Sequence, residues 1–295
     1  MRETRGQKIF KVFNYTFLGL LGLATFYPFW YVLVASLNEG RDFMRGGVWF
    51  FPRVLTWENY AKAFNDDRIA PSLRISVSAT LIVVVGSLLL TALVAYALTV
   101  KTLPGRNIFS FIWYFTTIFS GGLIPYYLML RDLKLTSSFW LYIIPSLFSF
   151  TNFILLRANF SGIPYELRES AQLDGAGEWT ILSRIYLPLS KPILATLALF
   201  IGVGKWNDWF TAAYYQSQAK LYPAATVLQR LLAEASAGSQ VKVGQETAAA
   251  GGMTTYTSQS LQMAFVMILT MPIVVVYPFL QKYYVKGAMV GSVKG

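Results

Sequence analysis

The sequence predicts an all-α polytopic membrane protein with six spans, and three observations lead there. Of 295 residues, 55% are hydrophobic and only 13% are charged, about half the charged share of a soluble globular domain. Several apolar runs reach the roughly 20 residues that a helix needs to cross a bilayer. Those runs are continuous rather than alternating. Of the two structures that satisfy every backbone polar group in lipid, helices and closed barrels, they therefore select helices.

The first span is expected over about Phe10–Ser36. The whole apolar run, Ile9 to Leu37, is too long for a cleavable leader and has no small-residue cleavage site. The second covers about Leu73–Val100. The third starts near Asn107 and is interrupted at "GGLIP", Gly121 to Pro125. The fourth covers about Phe139–Leu156, and the fifth about Pro192–Tyr214. The sixth covers about Tyr256–Leu280, where Pro272 and Pro278 are kink positions. One transmembrane domain, 1–295, is the expected organisation.

The connections differ in kind. Segments 37–71 and 215–255 are long, and the second contains the low-complexity stretch "AEASAGSQVKVGQETAAAGG". "KTLPGR", Lys101 to Arg106, is a tight turn, and Arg131–Ser138 is short. Between the fourth and fifth spans, residues 158–190 include the polar "ESAQLDGAGEWTILSRIYLPLS", Glu169 to Ser190. With the N-terminus inside, thirteen Lys and Arg fall in inner segments. Ten fall outside, eight of them in the two long loops, where charge has little influence on topology. Both termini, the 158–190 segment and the tail 282–295 are therefore expected in the cytoplasm, and 37–71 and 215–255 outside.

Composition also excludes. There is no Cys and no His, which removes thiol nucleophiles, disulfides, the usual zinc sites and imidazole acid–base catalysis. Carboxylate chemistry survives this exclusion, but there are just 14 acids and few lie in apolar segments; no metal site or catalytic residue is expected. The net charge of +11 is explained by cytoplasmic Lys and Arg at a lipid surface. Nucleic acid is not an expected partner, because no basic run is interleaved with aromatics.

The polar stretch reads as two short helices at an angle. Pro164 suits a first helical position, and Glu166 favours the first turn. Asp174-Gly175 is a helix stop. Trp179, Leu182, Ile185 and Tyr186 recur at helical spacing in a second helix from about Gly177, which Leu187-Pro188 would end. Such an elbow is either an amphipathic connector on the membrane surface or a docking knob for a cytoplasmic partner.

Glu169, Ser170, Ala171, then Gly175, Ile185 and Leu187-Pro188 resemble the E-A-A, Gly, I-x-L-P loop of ABC-importer permeases. Ser170 is the one departure, where the pattern has Ala. "FFPRVLTWENYAKAF", "PSLRISVSATLIVV" with "AYALTVKTLPGRN", and "KYYVKGAMVGSVKG" extend the similarity over nearly the whole chain; Pro71 stands where that pattern has Asn. The chain thus resembles the MalG-type permease subunit of carbohydrate-uptake importers, with a MetI-like, type I importer fold. "GGLIPYY" is similar to the branch that handles complex oligosaccharides, including uronate-containing ones.

The resemblance implies that Glu169, Ser170, Ala171, Asp174, Gly175, Trp179, Ile185, Leu187 and Pro188 dock in a cleft of an ATPase dimer. It implies that the tail residues Gly291, Ser292, Val293, Lys294 and Gly295 reach between the ATPases. It further implies a second homologous permease subunit, a solute-binding protein reached by the outer loop, an oligosaccharide substrate, and a bacterial inner-membrane location. No nucleotide-binding G-x-x-x-x-G-K-[ST] motif occurs, so ATP and Mg are expected in the partner subunits, and this chain is expected to hold no cofactor.

Two further groups have two readings each. Lys205, Asn207 and Asp208 lie late in the fifth span, where Lys205 and Asp208 are spaced to pair. They are either an outer-interface anchor, with Trp206 and Trp209 in an aromatic belt, or pathway residues, since sugars stack on aromatics and hydrogen-bond to Asn and Asp. Gly121, Gly122 and Pro125 are either a simple kink or an irregular stretch lining the path. A membrane-embedded transferase or a stand-alone carrier is the alternative for the whole chain.

Overall fold

The computed structural model describes residues 4–119, 121–241 and 257–292. Among these the only pairing of β type is an isolated bridge between Asn38 and Leu55; otherwise the chain is helix and turn. Helices α1 (Arg5–Ser36), α4 (Ile69–Ala97) and α14 (Ser258–Ser292) hold the three uninterrupted spans. Six spans result when each of three bent helical pairs is counted as one crossing.

The residues form two compact units, which the chain enters and leaves at 69–70, 227–228 and 271–272. The first unit contains α1, α2 (Gly40–Met44), α3 (Glu58–Asn65) and the first part of α14. A capping box starts α1: Gln7 donates its backbone N–H to the Thr4 hydroxyl, and the Gln7 side chain accepts from the Thr4 N–H. No charge interrupts Val12–Leu37, which at ~1.5 Å per residue is about 39 Å of helix. Most of its large side chains are exposed. The small core of this unit is Val34, Ala35, Phe43 and Val48, with Trp30, Tyr31 and Met263 against it. Asn59 is its polar keystone: the amide donates to the carbonyls of Ser36 and Asn38 and accepts from the Ser260 hydroxyl, all at 2.9 Å.

The second unit contains the three interrupted spans. Helix α5 (Arg106–Ile118) is about 20 Å long. Beyond the interruption at "GGLIP", α6 (Leu123–Asp132) is inclined at 118° to α5. Gly122 takes φ +88° there, a conformation costly for any residue with a Cβ. The fourth span is not one helix. Two 3₁₀ turns, Phe139–Tyr142 and Ile144–Ser146, precede α7 (Phe150–Ser161) at a 41° bend; Pro145 cannot donate to a regular ladder. The fifth span, α11 (Lys191–Trp206), stops short of the expected Tyr214, and a separate α12 (Phe210–Tyr215) follows. The core of this unit joins the ends of α4, α7 and α11: Ala92, Tyr96, Leu98, Phe153, Leu156, Phe160 and Leu197 pack together with Ile181, Leu182 and Tyr186.

Within the long segment 215–255, α13 (Ala224–Val241) is a helix that runs into the low-complexity stretch. Residues 242–256 lie outside the described residues.

Candidate coupling elbow

The elbow is built from α8 (Tyr165–Leu173), α9 (Glu178–Ile181), a π turn over Leu182–Tyr186, and α10 (Leu187–Leu189). Pro164 sits one position before α8 rather than inside it. The stop at Asp174-Gly175 is a complete two-bond cap: Ala176 N–H donates to Ala171 O and Gly175 N–H to Gln172 O, with Gly175 at φ +79°.

Leu187-Pro188 does not end the second helix. The π turn donates the Leu187 N–H to Leu182 O, five residues back. This opens the helix just where the proline ring would otherwise meet a carbonyl, and the helix runs on to Leu189. The redirection comes at Ser190, where the elbow helix meets α11 at 80°.

The motif residues divide between two faces. Glu169, Ser170, Asp174, Gly175, Trp179 and Pro188 are exposed. Ala171, Ile185 and Leu187 are instead half-buried and pack against the core beneath, as the footing of the elbow. The apolar tips that project are Leu173, 89% exposed, and Trp179. Beside Trp179 a groove of about 480 Å³, lined by Leu93, Ala97, Leu103, Pro104, Glu178 and Trp179, opens towards the turn after α4.

Sequence reasoning missed what joins the two elbow helices. Arg168 is only 4% exposed. Its guanidinium donates to Glu178 Oε1 at 2.5 Å and to the Tyr96 hydroxyl at 2.9 Å. The Tyr96 hydroxyl in turn donates to Glu178 Oε2, and Gln172 Nε2 donates to Oε1 at 3.3 Å. One carboxylate thus links α8, α9 and the end of α4. Burial works to raise the Glu178 pKa. The Tyr96 hydrogen bond and the Arg168 charge outweigh it and hold the carboxyl below the ordinary glutamate range. Tyr186 stands edge-on to both Tyr96 and Phe160, at 5.0 and 5.3 Å between centroids.

A further tie reaches the turn after α4: Lys101 Nζ lies 4.4 Å above the Tyr165 ring. Between α7 and α5, Arg157 donates to the Ser110 hydroxyl at 2.8 Å. The elbow is fastened to several helix ends and so is suited to move with them as a body. Among the described residues no group of three or more His, Cys, Asp or Glu that could hold a metal occurs.

The other candidate residues fall elsewhere in the same unit. Lys205, 7% exposed, pairs with Asp208 at 3.0 Å and donates to the Ser146 hydroxyl at 3.2 Å. Asp208 also accepts the Thr211 N–H that starts α12. Asn207 donates back to Val203 O. The pair thus fastens the gap between α11 and α12. Trp206 is buried and takes no part in a lipid-facing belt. Gly121, Gly122 and Pro125 are exposed, and from the helix they begin, Tyr126 packs edge-on against Tyr215 at 5.2 Å. The two candidate pathway groups are therefore linked through α6 and α12. Of the tail, Gly291 and Ser292 are the last residues of α14, which continues through Pro272 and Pro278. Val293, Lys294 and Gly295 lie outside the described residues.

Residues 75–289 match the family model of the binding-protein-dependent transport system inner membrane component. The chain is 35% identical to Protein LplC of Bacillus subtilis (strain 168), covering 100% of this chain and 98% of that protein. It is also 35% identical to the polygalacturonan/rhamnogalacturonan transport system permease protein YtcP of the same organism, over 98% and 99% of the two chains. Among solved structures, a chain of a bacterial ABC transporter involved in the import of the acidic polysaccharide alginate superposes with a TM-score of 0.87. The two share 30% identity, over 96% of this chain and 99% of that one.

Proposed function

We infer that this chain, which belongs to the family of binding-protein-dependent transport system inner membrane components, is one permease subunit of an ATP-driven importer of oligosaccharides. It forms half of the translocation pathway, and a second homologous permease subunit forms the other half. A dimer of ATPase subunits, which hold the ATP and Mg, docks on the elbow, and an extracytoplasmic solute-binding protein delivers the sugar. Both termini lie in the cytoplasm. The membership leaves no support for a transferase or a stand-alone carrier.

The observation that carries the coupling role is the Arg168–Glu178–Tyr96 clamp under two projecting apolar tips, Leu173 and Trp179. A part that transmits a push needs a rigid base and an exposed contact surface, and both are present. The tail from Gly291 to Gly295 is a second ATPase contact. Gly121, Gly122, Pro125, Asn207 and Asp208 line or brace the pathway.

Uronate-containing chains are the substrate class that the relatives favour. One is named for polygalacturonan/rhamnogalacturonan transport and the solved structure for import of the acidic polysaccharide alginate. The test is uptake of labelled oligogalacturonate, oligoalginate and a neutral oligosaccharide by the reconstituted complex. ATP-dependent uptake of an acidic oligomer, stimulated by the binding protein, supports the reading. ATP-dependent uptake of the neutral chain alone overturns the substrate class, and ATP-independent uptake overturns the importer.

A further inference from the structure

The stretch 44–57 of the first unit carries an aromatic surface that no part of the described chain covers. Met44, Trp49, Phe50, Phe51, Leu55 and Trp57 are all exposed, Phe51 at 74%. In a soluble loop such a patch would be a liability. Here the backbone is held rigidly. Arg53 donates to Asp42 Oδ2, to Asp42 O and to Gly46 O at 2.6–2.9 Å. Asn38 Oδ1 accepts the N–H groups of Arg53 and Val54. The exposure of the rings is therefore a built feature.

The direction of the loop indicates what covers it. From Leu37 the chain leaves the end of α1 and then folds back along that helix. Trp30 Nε1 donates to Phe50 O at 2.8 Å. The rings of Trp49, Phe50 and Phe51 lie against Tyr31, Tyr27 and Trp30, at 6.5, 5.7 and 6.5 Å. Lys11 is the last charge before the apolar stretch of α1. A hydrocarbon layer of ~30 Å takes up about 20 residues of helix beyond it, which ends near Tyr31. Tyr27, Trp30 and Tyr31, and with them the three loop rings, thus stand at the boundary between acyl chains and headgroups, where Trp and Tyr concentrate. Arg45 is exposed on the same stretch, and a basic side chain there suits lipid phosphates.

We propose that residues 44–57 form an interfacial anchor inserted into the leaflet opposite the N-terminus, with Trp49, Phe50 and Phe51 in contact with lipid, setting the depth of α1. The occupant is lipid and not a protein. The exposed rings continue the lipid-facing surface of α1, whose side chains at Phe26 and Phe29 are also exposed. The proposal rests on α1 being a span and is independent of the ATPase docking.

The chain has no Cys, so a single Cys carries a unique label. Phe51→Cys and, separately, Trp49→Cys would be nitroxide-labelled in the whole complex in phosphatidylethanolamine/phosphatidylglycerol nanodiscs. Asp67→Cys, exposed on the same outer segment, is the reference. Power saturation should read oxygen accessibility above that of a water-soluble nickel chelate at 49 and 51, and the reverse at 67. Nickel above oxygen at 49 and 51 would place the rings in water and overturn the proposal. Low accessibility to both reagents would place them under a protein partner and overturn it equally. Retained ATP-driven transport by the labelled complex shows that either reading is taken from an assembled importer.

Discussion

Replacing Glu178 by Ala removes the one acceptor shared by Arg168, Tyr96 and Gln172. Breaking a buried ion pair costs about 3–5 kcal/mol, because the remaining charge is left uncompensated. Arg168 is buried, but Glu178 is 55% exposed, so water can enter the vacated site and screening reduces the loss. About 2 kcal/mol remains, roughly a 30-fold rise in local opening at 1.4 kcal/mol per tenfold. Hydrogen exchange of the α8 amides in the reconstituted complex reads that rise directly, while α4 and α11 should exchange at native rates. The pH dependence has a defined sign. The folded Glu178 carboxyl titrates below its ordinary value of 4.5. Its contribution is therefore complete above that value and lost as pH falls through the lower, folded one. Glu178→Gln should remove this dependence. Exchange of α8 in Glu178→Ala within about twofold of native would refute the clamp as the base of the elbow.

Gly175→Ala meets no atom within 4 Å, so only the φ +79° backbone resists it. A loss of about 1–2 kcal/mol in thermal unfolding is expected, and less for Gly175→Asn. Asn59→Ala strands the Ser36 and Asn38 carbonyls in the first unit, while the Ser260 hydroxyl keeps Thr257 O as acceptor; it should cost about 3 kcal/mol by the same measurement, and a loss under about 0.5 kcal/mol would mean that water replaces the amide. Asp208→Leu leaves the buried Lys205 ammonium without its counter-charge, with only the Ser146 hydroxyl as acceptor, and should cost about 3 kcal/mol. The Lys205→Met/Asp208→Leu pair should recover most of this and stay about 1 kcal/mol short, through the lost cap on Thr211. A double variant no more stable than Asp208→Leu would mean that the cap, and not the charge, sets the cost.

The three long helices were legible because a continuous apolar run has one structural outcome in lipid. Gly121-Gly122 announced an interruption, but its size was hidden: a glycine pair permits a small bend and a large one alike. The fourth span read as one helix because hydropathy is blind to Pro145 and to the 3₁₀ turns around it. In the elbow, Asp174-Gly175 was readable as a stop, since its cap is local. The continuation through Pro188 was not, because the π turn that permits it depends on Leu182 and Tyr186 being held in the core. Arg168 and Glu178 are ten residues apart across a turn, a separation with no periodic signature. Their third partner, Tyr96, is more than seventy residues away in sequence, and nothing in "AYALTV" marks its hydroxyl as part of a clamp. The division of the motif into exposed residues and footing also needed the fold, because Ile185 and Trp179 look alike until one of them packs against the core.

The central claim is that the elbow is where this chain meets the ATPase. Single cysteines at Leu173 and Trp179, the two projecting tips, can be linked to the ATPase subunits with a short bifunctional reagent in the assembled, transporting complex; Asp67→Cys is the control. The account predicts covalent products between this chain and an ATPase subunit from both tip positions, changing in yield between nucleotide-free and ATP-bound states, and none from Asp67. No product from either tip, in a complex that still couples ATP hydrolysis to uptake, would contradict it.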